Sequence, residues 1–281
     1  MTIAIWPWIG GSAGARTLQE NLHQQTNGRE SVKFLRPRTR TRFTPRNRHI
    51  PIINWGNTRD YPMDIQNRIL NRPEAVRQAS NKEYCFNLIS ENPHELNTVQ
   101  PIPFTRDRAV AEQWLMEGDR VVGRALRSGS SGRGIFLINS MDEMVQCPLY
   151  TKYVPKVKEY RIHLIRKKCR TDLISSYFFV QQKRRTYDVD ENDVNWQIRT
   201  HDNGFIYAVD NVDELPPEVF RDARQYMYIL GLDFAALDII YNQARNQYYF
   251  LEANTAPGLA GSVISFYSDM LFEICREIQN A

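Results

Sequence analysis

The sequence predicts a mixed fold in which a small α/β unit precedes a larger α+β part. Three patterns support this prediction. Residues 2–9 (TIAIWPWI) form an apolar stretch that is followed by a glycine-rich turn and a helical repeat, as at the start of a Rossmann-like unit. Residues 118–140 and residues 237–254 each contain two apolar strands joined by a turn, as in β-hairpins.

The composition is typical of an ordinary globular protein. The chain has 281 residues, of which 42% are hydrophobic and 24% charged, and this length suits two domains or one domain with clear lobes. No apolar run approaches the ~20 residues of a membrane span, and the N-terminus lacks the positive region of a signal peptide. The four cysteines have no CxxC spacing, which favours reduced thiols. We therefore expect a cytoplasmic protein without a membrane partner.

Most of the positive excess lies in one run, residues 36–49 (RPRTRTRFTPRNRH), which contains six arginines and no acid. Such a run could contact nucleic acid or an anionic substrate, and a solvated loop has the same composition. The net charge of the whole chain is only +4, which disfavours a nucleic-acid binder. We expect the run to gather an anionic substrate group.

The N-terminal unit is predicted to be a small α/β domain over residues 1–70. Ser12 is placed to cap a helix that has Leu18 and Leu22 at helical spacing, and residues 49–57 predict a second strand. The turn GGSAG differs from GxGxxG and no acid follows at the usual distance, which disfavours a dinucleotide site. The helix N-terminus near Ser12 could hold an anionic group, although a structural turn explains the same pattern.

Helical patterns dominate residues 64–92. They begin with DIQNRIL, continue in a helix with Pro73 in its first turn, and end in a helix that begins near Lys82. After an extended crossing at residues 101–105, residues 107–116 predict one more amphipathic helix.

The hairpin of residues 118–140 has an unusually glycine-rich turn. Gly129, Gly132 and Gly134 can adopt positive φ, which would let backbone N–H groups converge on phosphates. Arg124 on the preceding strand could direct its guanidinium to the same anion. A flexible hairpin tip has a similar composition, so both interpretations remain open.

Further strands are predicted between residues 150 and 210. Glu159, Arg161 and His163 alternate onto one face of a strand, which suggests a polar cleft. The alternative is the solvent side of an antiparallel sheet, and for His163 we expect that alternative. The sheet should continue to Lys183 and through residues 195–210, which contain a DNG turn. A helix that ends at Gly231 follows, and a closing amphipathic helix covers residues 262–280.

The hairpin of residues 237–254 carries the strongest chemical pattern. Alternation predicts two sets of side chains that each share a side, namely Ala236, Asp238 and Ile240 on the first strand and Phe250, Glu252 and Asn254 on the second. A register that pairs Asp238 with Glu252 brings two carboxylates and an amide together. Because paired acids in apolar strands repel, a cation is expected between them, and oxygen ligands suit Mg²⁺ beside nucleotide phosphates. Two solvated acids at a strand edge are the alternative.

These landmarks occur in an order that resembles the ATP-grasp superfamily of carboxylate–amine ligases, in its glutamate-ligase-like branch. The matching motifs are SNKEYCF, VVGRALRSGSSGRGIFL, YTKYVPKVKEYRIHL, LDII and FLEANTAPG, within roughly residues 81–261. The resemblance implies an ATP-grasp fold of two α+β lobes, at residues 71–148 and 149–281, which hold ATP between them. The α/β segment before them is similar to the domain that precedes the ATP-grasp fold in such proteins.

The resemblance also implies residue roles. Asp238, Glu252 and Asn254 would bind Mg²⁺, or Mn²⁺ in its place, while Arg161, Lys183 and Arg199 would act at the phosphoryl-transfer centre. ATP contacts would come from Lys82, Arg124, Ser130, Ser131, Gly132, Gly134, Thr151, Tyr153, Val154 and Glu159. Most of the superfamily has Lys at the position of Arg124, so the contacts made there are expected to differ.

The implied activity is formation of an amide or peptide bond from a carboxylate and an amine, through an acylphosphate made with ATP. The carboxylate could belong to a small molecule or a peptide. Two alternatives are a non-catalytic ATP-binding module and a nucleic-acid binder that uses residues 36–48. The complete set of metal ligands disfavours the first alternative, and the small net charge disfavours the second.

The glycine-rich turn leads to a testable prediction. Residues 128–134 should form a lid that orders over bound nucleotide, because its glycines reach a phosphate-facing conformation at little steric cost. Limited proteolysis should cleave this stretch in the free protein and spare it in the presence of Mg-ATP. Equal cleavage in both states would contradict the prediction.

Overall fold

A computed structural model of the protein describes most of the chain. The described residues are 2–8, 12–26, 31–35, 49–60, 68–92, 98–126, 134–168, 174–187, 189–190, 192 and 194–280. These residues contain fourteen strands in three sheets and six α-helices. The arginine-rich residues 36–48 lie outside the described residues, as do Ser130, Ser131, Gly132 and Cys169.

The N-terminal sheet is parallel throughout. Its strands are β1 (Thr2–Pro7), β2 (Ser31–Phe34), β3 (Ile52–Trp55) and β4 (Ile69–Leu70), in the order β2-β1-β3-β4. Helix α1 (Ala13–Gln25) follows β1 and buries Leu18 and Leu22. The Ser12 hydroxyl caps it by accepting a hydrogen bond from the Ala15 N–H at 3.4 Å. The strand predicted over residues 2–9 (β1), the capped helix (α1) and the strand predicted over residues 49–57 (β3) are therefore confirmed, whereas β2 was not predicted.

One predicted helix is wrong in part. Ile69 and Leu70 of the DIQNRIL segment are strand β4 and pair with β3, while residues 64–67 lie outside the described residues. The apolar spacing of the segment suits a helix. However, Asn71 follows with a φ of 60°, which a right-handed helix does not allow. Pairing with a buried strand decides the conformation of these two residues.

Asn71 fastens β4 to the later part of the chain. It is fully buried, and its Oδ1 accepts hydrogen bonds from the N–H groups of Asp233 (2.8 Å) and Phe234 (3.1 Å), while its Nδ2 donates to the Phe234 carbonyl (2.8 Å). The Asp233 carboxylate in turn accepts from the Asn71 N–H at 2.7 Å and from Arg68 at 2.8 Å. Every side-chain polar group of Asn71 is thus satisfied in the interior.

Two helices and two short strands follow. They are α2 (Pro73–Ser80), α3 (Lys82–Ser90), β5 (Val99–Pro101) and β6 (Phe104–Thr105). Pro73 lies in the first turn of α2, as predicted. Asn81 caps α3 by accepting a hydrogen bond from the Tyr84 N–H at 3.2 Å, so Lys82 is the first residue of α3, which also confirms the prediction.

A four-stranded antiparallel sheet, called here the small sheet, comes next. It consists of β6, β7 (Val121–Arg124), β8 (Ile135–Ile138) and β9 (Leu149–Lys152), in the order β6-β9-β7-β8, and α4 (Arg108–Met116) packs beside it. The predicted hairpin is β7 and β8. Gly134 has a φ of 68°, and its carbonyl accepts a hydrogen bond from the Ala125 N–H at 2.8 Å, which closes the base of the hairpin.

The large sheet has six strands. They are β5, β10 (Lys158–Lys168), β11 (Ile174–Arg185), β12 (Phe205–Ala208), β13 (Phe234–Asn242) and β14 (Gln247–Asn254), in the order β12-β11-β10-β13-β14-β5. Helix α5 (Pro217–Ile229) ends at the predicted glycine, since Gly231 has a φ of 66°. Hydrogen bonds from Gly231 N–H to Tyr228 O (3.0 Å) and from Leu232 N–H to Met227 O (2.9 Å) complete a Schellman motif.

The strand predicted over residues 195–210 is wrong in its first half, because only Phe205–Ala208 form a strand. The Asn195 side chain accepts hydrogen bonds from the N–H groups of Gln197 (3.1 Å) and Ile198 (2.9 Å). Such local side-chain bonds compete with strand pairing. The predicted turn is present, and Gly204 closes it with a φ of 77°.

Helix α6 (Ser262–Asn280) joins the N-terminal sheet to the large sheet. Its buried residues pack in one core with β1, α1 and β3, and Trp55 in that core stacks on Phe234 of β13 at 5.4 Å between ring centroids. A second core lies between the large sheet and α5. Cys85, Cys147 and Cys275 are free and buried, as predicted for reduced thiols. The domain boundaries at residues 70 and 148 stay a prediction.

Asn71 leads to a testable prediction about stability. Asn71→Ala removes three buried hydrogen bonds and leaves at positive φ a side chain that can make no local hydrogen bond, so it should lower the free energy of unfolding by about 2–4 kcal/mol. Asn246 is a matched control, because it also has positive φ (46°) but lies in an exposed turn. Urea unfolding should show a loss for Asn246→Ala of about 1 kcal/mol or less. Equal losses would contradict the role of Asn71.

Candidate active site

One face of the large sheet carries three rows of side chains that cross its strands. The first row is Phe179, His163, Ala236 and Asn254; the second is Gln181, Arg161, Asp238 and Glu252; and the third is Tyr207, Lys183, Glu159 and Ile240. The predicted common face of Glu159, Arg161 and His163 is therefore confirmed. The predicted pairing of Asp238 with Glu252 is confirmed as well.

A β-bulge follows the acid pair. The register shifts between Asp238 and Ile239, so that Ile239 pairs with Phe250 and Leu251 is the additional residue. Paired residues share a face, and the neighbours Asp238 and Ile239 lie on opposite faces. Phe250 therefore lies on the face opposite Glu252 and packs in the core between the large sheet and α5. The prediction that Phe250 and Glu252 share a side is thus wrong, since simple alternation does not allow for a bulge.

Arg161 holds Asp238 in a bidentate ion pair. Its Nε and one terminal nitrogen each donate to a different carboxylate oxygen at 2.7 Å, and the guanidinium lies 4.0 Å from the centre of the Tyr207 ring. Burial would lower the pKa of Arg161, but Asp238 raises it above its ordinary value. A pair with this geometry is among the stronger polar interactions in proteins, and it fixes the second row.

Glu252 is held by Lys82, which reaches it from the first turn of α3. Burial opposes the charge of Glu252, yet Lys82, Arg161 and Arg124 together hold the pKa of this carboxyl below its ordinary value. Arg124 of the small sheet is itself buried, and burial lowers its pKa while Glu252 partly restores it. Glu252 therefore interacts with cations from three parts of the fold, namely helix α3, the small sheet and the large sheet.

Glu159 forms a second charged cluster in the third row. Lys183 donates to its Oε1, and Lys156 lies 3.0 Å from its Oε2. Burial alone would raise the pKa of Glu159, but Lys156 and Lys183 hold it below the ordinary value. The Tyr207 ring lies 4.6 Å from Lys183 Nζ, and burial raises the pKa of its hydroxyl well above the usual range.

Arg199 lies beside this cluster but directs its nitrogens to backbone carbonyls. They donate to Lys156 O (2.9 Å), Val157 O (3.3 Å) and Trp196 O (3.2 Å). Burial lowers the pKa of Arg199, and Glu159 partly offsets this effect. In this conformation Arg199 supports the segment that connects the two sheets, and its role at a phosphoryl-transfer centre stays a prediction.

The connecting segment, residues 153–157, is fixed at several points. Asn242 Nδ2 donates to Pro155 O at 2.8 Å, Val157 N–H donates to Tyr241 O at 3.0 Å, and Tyr153 packs under the Arg120 guanidinium at 4.2 Å. Val154 is buried in the core between the large sheet and α5. The predicted adenine-binding stretch from Thr151 to Val154 thus lies at the junction between the small and large sheets.

Two buried polar atoms on the small-sheet side of this junction lack partners among the described residues. Within the described residues, Arg124 Nε and Thr151 Oγ1 have no hydrogen-bond partner. Arg124 and Val122 share a face of β7, and Val122 pairs with Thr151 on β9, so both unpaired atoms belong to side chains on one face of the small sheet. Buried polar atoms are normally paired, so unpaired ones on a shared face indicate a place where a ligand would supply partners.

The prediction that His163 faces solvent is wrong. His163 is fully buried, because α6 covers this end of the face and places the Tyr267 hydroxyl 3.2 Å from Nδ1. Gln181 Nε2 donates to Tyr207 O at 3.3 Å, so its Oε1 accepts from His163 Nε2 at 2.8 Å. The Tyr267 hydroxyl then donates to Nδ1, and the imidazole is neutral. Alternation along β10 could not show that a helix lies above this residue.

The acid pair suits a hard divalent cation in its chemistry. Asp238, Glu252 and Asn254 offer oxygen atoms on one face, and Mg²⁺ prefers oxygen ligands. Within the part of the chain that the structure describes, no three His, Cys, Asp or Glu side chains are grouped as metal ligands, so this set depends on the Asn254 amide. Asn254 Oδ1 also accepts from Ala256 N–H at 3.0 Å. Because protein cations hold both carboxylates, a metal ion must displace at least one of these cations before it can bind.

Sequence reasoning missed three participants. Lys156 pairs with Glu159 three residues later, Tyr207 supports Arg161 and Lys183, and Gln181 orients His163. The alternation of β12 could have placed Tyr207 on the polar face. Nothing in the sequence around Lys156 distinguishes it from Lys152 or Lys158, since the fold of the connecting segment decides which lysine points inward.

Comparison with solved structures identifies the fold. No family model matches the sequence, and no curated protein matches it. D-alanyl-alanine synthetase A from Vibrio cholerae is similar with a TM-score of 0.66 and 14% identity, and the match covers 100% of this chain and 99% of that one. D-alanine–D-alanine ligase from Bacillus anthracis gives 0.64 and 14%, with 100% and 99% covered.

A third structure broadens the comparison. The Chryseobacterium gregarium RiPP-associated ATP-grasp ligase, solved in complex with ADP and a leader and core peptide, has a TM-score of 0.60 and 14% identity, with 99% of this chain and 96% of that chain covered. These likenesses extend over whole chains. The protein therefore has the ATP-grasp fold, and the fold implied by the sequence motifs is confirmed.

The described part of the chain also answers a question about membranes. None of its helices combines the length and the apolar character needed to cross a bilayer.

His163 leads to a prediction about pH. Burial lowers its pKa from 6.5 to about 4, and its hydrogen bond with Gln181 offsets this only in part. The unfolded chain therefore takes up a proton at a higher pH than the folded protein does, so stability is full above about pH 6.5 and falls as the pH decreases toward 4. Between pH 7 and pH 5, this residue should account for a loss of about 2 kcal/mol.

Urea unfolding of wild type and His163→Gln at both pH values measures this contribution. The variant does not titrate at this position, so it should lose about 2 kcal/mol less than wild type over that range. His201→Gln, at an exposed turn, should retain the wild-type difference. A His163→Gln variant with the full wild-type loss would contradict the prediction.

Proposed function

We propose that the protein is an ATP-dependent carboxylate–amine ligase that forms an amide or peptide bond through an acylphosphate, with Mg-ATP held between the small and large sheets. The observation that carries this proposal is the charge at the junction of the two sheets. Among the described residues, six cations surround three carboxylates there, and the cations are Lys82, Arg124, Lys156, Arg161, Lys183 and Arg199. Glu159, Asp238 and Glu252 neutralise half of this charge.

The remaining positive charge favours a polyanionic ligand. Burying unmatched charge is costly, so a site with three excess cations is expected to bind a group that supplies several negative charges. A nucleoside triphosphate has this charge. Arg124 Nε and Thr151 Oγ1, which have no hydrogen-bond partner within the described residues, support a ligand at the same place.

The chemistry follows from the same residues. Transfer of a γ-phosphoryl group to a carboxylate needs positioning and neutralisation of charge, and it needs no covalent nucleophile from the protein. In this proposal Arg161, Lys183 and Arg199 neutralise the transferring group and the acyl oxygen that receives it. Bound Mg²⁺ would draw charge from the phosphate oxygens, and Asp238, Glu252 and Asn254 would hold it.

The remaining residues bind ATP in this proposal. Lys82 and Arg124 contact phosphates, the backbone of Thr151, Tyr153 and Val154 contacts adenine, and Glu159 contacts ribose. Gly134, at the base of the hairpin, contacts the phosphates in this proposal, whereas Ser130, Ser131 and Gly132, for which the same contact is predicted from the sequence, lie outside the described residues. The charge of Glu159 is already balanced by Lys156 and Lys183, which would keep it ionised and able to accept hydrogen bonds.

The structural neighbours suggest two candidate substrate classes, amino acids and peptides. Their names refer to D-alanine and to precursor, leader and core peptides. We propose that the substrates here are a carboxylate of an amino acid or peptide and an amine acceptor. The protein would act in the cytoplasm, where ATP is available.

The test is to follow nucleotide products. With ATP, Mg²⁺ and a pool of amino acids and peptides, the protein should release ADP and phosphate as a new amide appears in the mass spectrum. Glu252→Gln should reduce this turnover by about 100-fold or more, because it removes a negative charge that would hold the metal ion against the phosphates. Glu273→Gln is the matched control, since Glu273 also pairs with a lysine but lies on α6, and it should retain turnover.

Three results would overturn the proposal. Stoichiometric AMP and pyrophosphate would exclude an acylphosphate route. Full turnover in Glu252→Gln would exclude the metal assignment. ATP binding without any turnover across the pool would favour a non-catalytic nucleotide-binding module.

A further inference from the structure

Both carboxylates of the proposed metal site are already neutralised by protein cations. Arg161 binds both oxygens of Asp238, and Lys82 binds Glu252. Arg124 adds a third positive charge close enough to affect the pKa of Glu252. The five groups have a net charge of +1, so the site lacks the net negative charge that usually attracts a free divalent ion.

A free divalent cation would meet repulsion at this place. It would raise the local charge from +1 to +3 in a largely buried environment, where charges are weakly screened. A metal that arrives with a triphosphate brings a compensating negative charge. The local electrostatics thus distinguish the bare ion from its nucleotide complex.

The two cations that pair with these carboxylates differ in how easily their side chains can move. Arg161 is held by two hydrogen bonds to Asp238 and by the Tyr207 ring. Lys82 ends in a single ammonium on a flexible four-carbon stem, and that ammonium is its contact with Glu252. Since Asn81 fixes the start of α3, the backbone of Lys82 stays in place while its side chain can turn toward another anion.

We propose, on the basis of the proposed function, that Lys82 determines the selectivity of the site for metal–nucleotide complexes over free metal. Without nucleotide, its ammonium occupies Glu252 and excludes a divalent ion. When a polyphosphate is present, the ammonium transfers to phosphate oxygens and frees the Glu252 carboxylate. Lys82 therefore links metal binding to nucleotide binding.

The experiment measures metal binding without turnover. Wild type, Lys82→Met and Lys82→Gln are titrated with Mn²⁺ in the absence of nucleotide, and free Mn²⁺ is followed by its paramagnetic resonance signal. Both variants should bind Mn²⁺ at least about tenfold more tightly than wild type, because a nearby like charge has been removed. The titration is repeated with ADP against a protein-free blank, because ADP itself binds Mn²⁺, and ADP should increase the protein-bound Mn²⁺ of wild type much more than that of the variants.

Lys167→Met is the matched control. Lys167 is also a largely buried, ion-paired lysine, with 11% of its side chain exposed against 12% for Lys82, but its partners Glu273 and Glu277 lie on α6. It should bind Mn²⁺ as wild type does. Adding Glu252→Gln to Lys82→Met should abolish the gain, which assigns the bound ion to this site.

The outcomes separate this inference from the proposed function. Unchanged Mn²⁺ affinity in both folded Lys82 variants, with ADP-dependent binding in wild type, would overturn the role of Lys82 alone. Wild type that binds Mn²⁺ equally well with and without ADP would overturn it too. Absence of Mn²⁺ binding by wild type even with ADP would instead contradict the proposed nucleotide site.

Discussion

The structure depends most on how a partly buried row of polar and charged side chains is neutralised. Gln181, Arg161, Asp238 and Glu252 lie side by side on four adjacent strands, where isolated charges would be very costly. Arg161 matches Asp238 with two hydrogen bonds, but Glu252 has no cation opposite it on its own sheet within the described residues and is matched from α3. The position of α3 is therefore an electrostatic requirement of the sheet as well as a consequence of packing.

The bulge after Asp238 separates the charged face from the apolar core. On one side of the bulge, the paired residues Asp238 and Glu252 place their side chains on the charged face. On the other side of the bulge, the Phe250 side chain lies on the core face and packs against Phe86 and Tyr226. A strand that kept simple alternation would place an aromatic ring beside the carboxylates. One additional residue thus allows β14 to supply an acid to one face and a large core residue to the other within three positions.

How far the sequence could predict the fold varied with how local the cause was. The cap at Ser12, the helix start near Lys82 and the hairpin of Asp238 and Glu252 follow from local chemistry, and the structure confirms them. Strand β4 and the burial of His163 depend on partners far along the chain, namely β3 and Tyr267 of α6. Composition and periodicity contain no information about such partners, so errors there are expected.

The same distinction applies to the candidate site. Strand alternation grouped Glu159 with Arg161, and Glu252 with Asn254, because each pair lies on one strand. The cations that balance the acids come from α3, the small sheet and the connecting segment, and only the three-dimensional structure shows that Lys82, Arg124 and Lys156 meet there. The excess of positive charge, which is the main argument for a polyanionic substrate, is consequently a property of the assembled fold.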